Sequence, residues 1–491
     1  MLFNSLQFFI FFPVVTAGYF FIPHKYRWAF LLLASCVFYM AFIPAYILIL
    51  FVTIGIDYWA GMKIEESEGK TRKRWLILSI VSTVLVLAIF KYFNFFNSNL
   101  AVVANFFHWN YPIHFINIIL PIGLSFHTFQ SLSYVIEVYL RRFKAERHLG
   151  IYSLYVMFYP QLVAGPIERP QNLIHQFREE HFFEYARVVE GLRRMLWGLF
   201  KKMVIADNLA TYVNMAYGAP ENYSGLALSA ATVFFAIQIY CDFSGYADIA
   251  IGSAKVMGFK LMENFKNPYF ATSIPDFWSR WHISLSTWFR DYVYIPLGGN
   301  REGKVKYTRN ILATFLLSGL WHGANWTYIV WGGIHGVFTV FSRFFSKAFH
   351  VTDSAAMLFL NRIATFFIVC VAWVFFRARS VSEAWFIIEK SFWDILGKGQ
   401  LFMTHSFATH DYYANFVYPF LIVNGSLKRF FYYLFLIIIL FAAERIDSKY
   451  DLFAFVATRP RWVRFVLYGV LILSIFNLGV TKEIPFIYFQ F

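Results

Sequence analysis

Two histidines stand where histidine is costly. In LLSGLWHGANWTYIVWGGIHG (316–336), His322 is set among Leu, Trp and Gly, away from any run of Lys or Arg. In DFWSRWHISLSTWFRDYVYIPLGGNR (276–301), His282 follows an aromatic-rich stretch. Ionisable groups inside apolar segments mark functional candidates by default. A neutral imidazole is the usual general base near neutral pH, so His322 is a candidate for that role. A structural histidine bonding between helices fits the same local sequence, and the residues alone do not choose between the two. Gly319 and Gly323 flank His322 and would let another chain or a ligand come close. His335 reads as structural.

Read as one helix, 273–297 puts Trp278, Trp281, Leu285, Trp288 and Tyr292 on one face. Ser279, His282, Ser286 and Arg290 fall on another. Such a pattern suits the wall of an aqueous tunnel, or equally a helix lying in the membrane interface. Arg280, Arg290 and Arg301 could meet phosphates, although snorkelling arginines give the same pattern. In YCDFSGYADIAIGSAKVMGF (240–259), Asp242 and Asp248 sit in an apolar run, and structural pairing with arginines is favoured over proton or cation transfer. YPQLVAGPIERP (159–170) reads as a bend, with Glu168 and Arg169 as a pair. No P-loop, GxGxxG, HExxH or GxSxG motif is present, which removes an ATP-driven pump and a serine hydrolase of the elbow type.

The elements that must position these groups are membrane helices. Of 491 residues, 59% are hydrophobic and only 14% charged, with a mean hydropathy of +0.53. Soluble domains carry about 25% charged residues. The apolar runs are continuous and long, so the fold class is an all-α polytopic membrane protein, not a barrel. Helices are expected near 4–23, 28–42, 45–61, 75–96, 115–140, 150–168, 223–241, 243–257, 309–322, 326–345, 361–376, 429–443 and 464–481. Amphipathic or re-entrant pieces are expected near 184–215 and 273–297. The whole chain, 1–491, reads as a single membrane domain, with its motif-rich core over about 120–345 and a terminal helix and tail over 464–491. The net charge of +15 reflects Lys and Arg gathered in cytoplasmic loops, and no nucleic-acid partner is expected. Cys36, Cys241 and Cys370 are scattered, show no metal spacing and read as buried thiols. The first residues lack a basic n-region, so no cleaved signal peptide is expected.

Charge also assigns sides. The segments 24–27, 70–74, 141–147 and 444–464 are basic, whereas 43–45 and 97–114 contain no Lys or Arg. The basic segments are therefore expected on the cytoplasmic side, with both termini outside. A transporter or lipid-linked glycan flippase would use Asp242 and Asp248, but it usually shows an internal repeat, and none is visible. A purely structural scaffold is the third class.

Together the four quoted motifs, and NFKNPYFATSIP leading into the second, resemble the membrane-bound O-acyltransferase family. The likeness is greatest to its bacterial alginate O-acetyltransferase membrane subunits, with the teichoic-acid D-alanylation and peptidoglycan O-acetylation proteins in the same subgroup. The resemblance implies a helical bundle with a central tunnel, His322 as catalytic base and His282 as its upstream polar partner. Trp278, Trp281, Trp321 and Asn325 become candidates to line that tunnel. It implies an inner-membrane enzyme that takes an acetyl group from cytoplasmic acetyl-CoA. No cofactor is bound permanently, and an acyl carrier protein thioester is the alternative donor. The acetyl group passes to an extracytoplasmic SGNH-type partner, and so to an alginate-like polysaccharide. D-alanyl or peptidoglycan acyl transfer is the alternative within the family. The tail FIYFQF (486–491) fits a short F-x-Y-x-x-F pattern, which makes Tyr488 an acyl-carrier candidate, with an aromatic membrane anchor as the rival reading.

Overall fold

A computed structural model describes residues 1–116, 121, 123–163, 165–301, 303–348, 354–404, 427–480 and 484–487. Among the described residues the regular elements are all helical. The main helices are α1 (Leu6–Phe21), α2 (His24–Met40), α3 (Tyr46–Glu66), α4 (Gly69–Phe106), α5 (Leu124–Tyr139) and α6 (Leu149–Met157). Next come α7 (Tyr185–Leu199), α8 (Asp207–Gly218), α9 (Gly225–Met257), α10 (Ile274–Arg280) and α11 (Ile283–Phe289). The series closes with α12 (Gly303–His322), α13 (Trp326–Ala348), α14 (Ala355–Arg377), α15 (Val381–Thr404), α16 (Leu427–Tyr450) and α17 (Arg461–Leu478). Five of the described helices, α3, α4, α9, α14 and α17, are long and apolar enough to cross a membrane. This is a multi-pass membrane protein.

Several expectations need correction. The two helices foreseen at 223–241 and 243–257 are one helix of 33 residues, α9. Asp242 is neutralised in place by Lys202, so the helix need not break there. The helix foreseen over 150–168 ends at Met157, where Phe158 leaves helical geometry and Pro160 enters a short new turn. The helix foreseen from 115 starts only at Leu124, after Gly123 at φ +78°. Glu168 does not rely on Arg169: its Oε1 accepts from the Met262 N–H at 2.5 Å, while Arg169 donates to Ser133 Oγ at 3.1 Å. Helix α15 was not foreseen, because its charges interrupt the apolar run.

The described residues pack as two compact units. The first holds Met1–Met195 and Tyr246–Asn264. Here Asp57 of α3 accepts from Ser79 Oγ at 2.6 Å and Thr83 Oγ1 at 3.1 Å, which ties α3 to α4 inside an apolar layer. In this unit, residues of the basic segments 70–74 and 141–147 are held by partners near one another. Arg72 donates to the Val138 and Tyr139 carbonyls, Arg147 pairs with Glu65 and Glu66, and Arg178 pairs with Glu146. Asp248 pairs with Arg194 at 2.9 Å, and Arg194 also reaches Glu263, which is the arginine pairing expected for that carboxylate.

The second unit holds Leu196–Gly245 and Phe265–Phe491. Its clearest feature is the hairpin of α12 and α13. A Cβ on Gly319 would lie 2.2 Å from the Tyr328 carbonyl oxygen, and one on Gly323 would lie 2.0 Å from the Tyr328 ring. These glycines admit the neighbouring helix rather than a ligand, and so hold His322 at the closed end of the hairpin.

Candidate active site

His322 is the last residue of α12 and is only 4% exposed. Its ring is caged by three others. Trp321 and Trp331 both stand 4.8 Å from it, edge to face, and Phe376 of α14 stands 5.5 Å away. Trp331 continues through Trp373 at 6.0 Å to Trp281 at 5.2 Å, an aromatic lattice that suits a site from which water is excluded.

His282 is fully buried and lies between α10 and α11. The single helix expected over 273–297 is broken there. The Arg280 carbonyl accepts from the Lys266 N–H at 2.9 Å, Trp281 becomes extended, and His282 takes φ +43° and ψ 54°. A histidine in the left-handed region is strained, and such strain concentrates at functional positions. The break turns both Trp281 and His282 inward, while Ser279 and Arg290 stay exposed, so the continuous polar stripe does not form. The His282 ring lies 4.6 Å from Phe243 and 6.4 Å from Trp321.

The remaining candidates separate. Trp278 Nε1 donates to His335 Nδ1 at 3.2 Å, which ties α10 to α13. Asn325 donates to the Arg379 carbonyl at 3.0 Å and accepts from the Thr327 N–H at 3.1 Å, at the start of α13. Arg280 pairs with Asp276 at 2.7 Å and Arg290 with Asp291 at 2.8 Å, so each has a carboxylate partner of its own. Arg301 is exposed in the turn before α12. Tyr488 lies outside the described residues; its neighbours Phe486 and Ile487 are described and buried. The Phe486 ring stands 5.4 Å from Phe243. Among the described residues no group of three metal-ligating side chains occurs.

Sequence reasoning passed over Lys201 and Lys202, both buried in a π-helical turn at Phe200–Ala206. Their signal was available: two adjacent lysines inside the apolar stretch LFKKMVIA.

A profile of the membrane-bound O-acyltransferase family matches residues 17–381. The chain belongs to that family. It is a membrane-embedded O-acyltransferase. Among similar proteins, the "probable alginate O-acetylase AlgI" of Pseudomonas aeruginosa is 41% identical over 397 residues, covering 80% of this chain and 75% of that one. The "peptidoglycan O-acetyltransferase" of Helicobacter pylori is 35% identical over 422 residues, covering 78% of each. The "teichoic acid D-alanyltransferase" of Bacillus subtilis is 31% identical over 248 residues, covering 48% of this chain and 62% of that one.

Proposed function

We propose that this O-acyltransferase moves acetyl groups from cytoplasmic acetyl-CoA across the inner membrane, for O-acetylation of an alginate-like polysaccharide outside. The observation that carries this reading is a chain of ring contacts. Phe486, two residues before Tyr488, touches Phe243; Phe243 touches His282; His282 touches Trp321; and Trp321 touches His322. A tail residue is thereby linked through four contacts to the caged base.

In the proposed step His322 takes the phenolic proton of Tyr488 as the oxygen attacks the thioester carbonyl. A tyrosine of ordinary pKa, about 10, needs such a base. The O–C bond forms, the C–S bond breaks, and the CoA thiolate recovers the proton from His322. The products are an acetyl-tyrosine ester and free CoA. His282 orients the thioester or steadies the oxyanion, and Trp278, Trp281, Trp321 and Asn325 belong to the tunnel wall and its frame. Arg301 receives the CoA phosphates at the cytoplasmic mouth, joined by Arg280 and Arg290 when they exchange Asp276 and Asp291 for phosphate. A serine of an SGNH-type partner then attacks the ester outside, which regenerates the tyrosine. The gathering of basic segments in the first unit supports a cytoplasmic assignment for that end. The chain acts as a single membrane domain with both termini outside.

Acetyl is favoured over D-alanyl because the acetyl-transferring relatives match at higher identity and over more of the chain. The donor is tested directly by incubating the purified protein with acetyl-CoA or with a D-alanyl carrier-protein thioester. Release of free CoA thiol from the first, and no turnover of the second, is expected. Turnover of the carrier thioester alone would overturn the acetyl reading.

A further inference from the structure

The described end of the tail is held by a carboxylate. The Ile487 N–H donates to Asp242 Oδ2 at 2.6 Å. The other oxygen, Oδ1, lies 2.6 Å from Lys202 Nζ, which also donates to Asp207 Oδ1 at 2.7 Å. All three side chains are buried, and Phe486 beside them is fully buried against Phe243. We propose that Asp242 is a positioning residue: its ion pair with Lys202 fixes a carboxylate whose second oxygen seats the tail by the main-chain N–H of the residue before Tyr488. This rests on the reading of Tyr488 as acyl acceptor and adds what holds that acceptor in place.

The local structure is built for this. The π-helical turn Phe200–Ala206 carries Lys201 and Lys202 on consecutive positions, and π turns are frequent at functional sites. Lys201 Nζ donates to Ser244 Oγ at 2.9 Å, so both lysines reach α9. A Cβ on Gly245 would lie 2.8 Å from the Gly198 carbonyl oxygen and 3.2 Å from the Lys202 nitrogen, so glycine is what lets α9 come this near. The same turn and the start of α8 receive the end of α17. The Val480 N–H donates to the Met203 carbonyl at 3.3 Å, and Asn208 Nδ2 donates to the Leu478 carbonyl at 2.8 Å. The chain after α17 is therefore attached twice, once at 478–480 and once at 486–487.

The chemistry requires a carboxylate. A carboxylate offers two acceptor oxygens, and here each faces a donor. An amide of the same shape offers one acceptor and one NH2 donor. Whichever way it turns, the amide satisfies either Lys202 or Ile487 and presents a donor to the other. Asp242→Asn also leaves Lys202 with Asp207, a neutral pair, so the variant is expected to fold.

The test is amide hydrogen exchange on the full chain in detergent micelles, together with the label placed on Tyr488 by isotopic acetyl-CoA. The Ile487 amide is expected to exchange slowly in the unaltered protein and at least about tenfold faster in Asp242→Asn. Peptides from the first half of α9 should be unchanged, which a general loosening would not allow. Tyr488 labelling should fall with the KM for acetyl-CoA unaltered, and Asp242→Glu, which keeps both oxygens, should restore part of the protection. Should Asp242→Asn not fold, Ile487→Pro deletes the donated N–H with the ion cluster left intact, and full Tyr488 labelling in that variant overturns the seat. An Ile487 amide that exchanges freely in the unaltered protein, or as slowly in Asp242→Asn as in the unaltered protein, also overturns it. Asp242-dependent protection with no label on Tyr488 upholds the seat and overturns the acyl-carrier reading instead.

Discussion

Replacing His322 by alanine is expected to abolish measurable acyl transfer, a fall in turnover of about 10²–10⁴-fold, the usual contribution of a positioned base. The residue closes α12 in a cage of Trp321, Trp331 and Phe376, and the tail reaches that cage through Phe243 and His282. Alanine also leaves a cavity, which lowers stability. His322→Gln separates the two effects, since glutamine fills more of the space yet cannot accept the proton. Release of CoA thiol should be equally low in both variants, while only the alanine variant melts markedly earlier. His282→Asn gives the contrast. Asparagine tolerates the left-handed backbone that His282 adopts, so the fold should hold. If His282 orients rather than transfers a proton, turnover should fall less than on loss of His322. Substantial turnover in His322→Gln would remove the residue from the role of base.

Replacing Lys202 by methionine is expected to destabilise the protein by about 3–5 kcal/mol, the usual result of removing one partner from a buried ion pair. Methionine keeps a long flexible stem but leaves Asp207 and Asp242 facing one another without their cation. The double variant Lys202→Met with Asp242→Asn should regain part of the loss, because only one carboxylate then stays uncompensated. Melting temperature and the monodisperse fraction in detergent measure both. An unchanged melting temperature for Lys202→Met would show that the cluster is compensated by other means. In that case the rigid support assigned to Asp242 fails with it.

Much of this was legible in the chain because the membrane simplifies the problem. Long apolar runs mark the spans, and an ionisable residue among them, such as His322 or His282, stands out at once. The register of 273–297 was not legible, since a histidine at positive φ carries no mark in sequence. The break there follows from the tertiary bond between Lys266 and Arg280. The continuity of α9 through Asp242 depends on a lysine 40 positions earlier, and pairing at that distance cannot be read from spacing. Helix α15 is not legible as an uninterrupted apolar run, because Glu383, Glu389, Lys390 and Asp394 lie along it. Gly319 and Gly323 signal close approach already in the sequence, and what approaches them is Tyr328 of the next helix.

In the proposed reaction acetyl leaves CoA onto the tail under the control of His322. The mass of the C-terminal peptide after incubation with isotopically labelled acetyl-CoA reads that transfer. The expected result is one labelled acetyl group on Tyr488, absent in Tyr488→Phe and in His322→Gln. An unlabelled tail in protein that still passes label to an added SGNH partner would contradict it and move the acceptor hydroxyl to the partner.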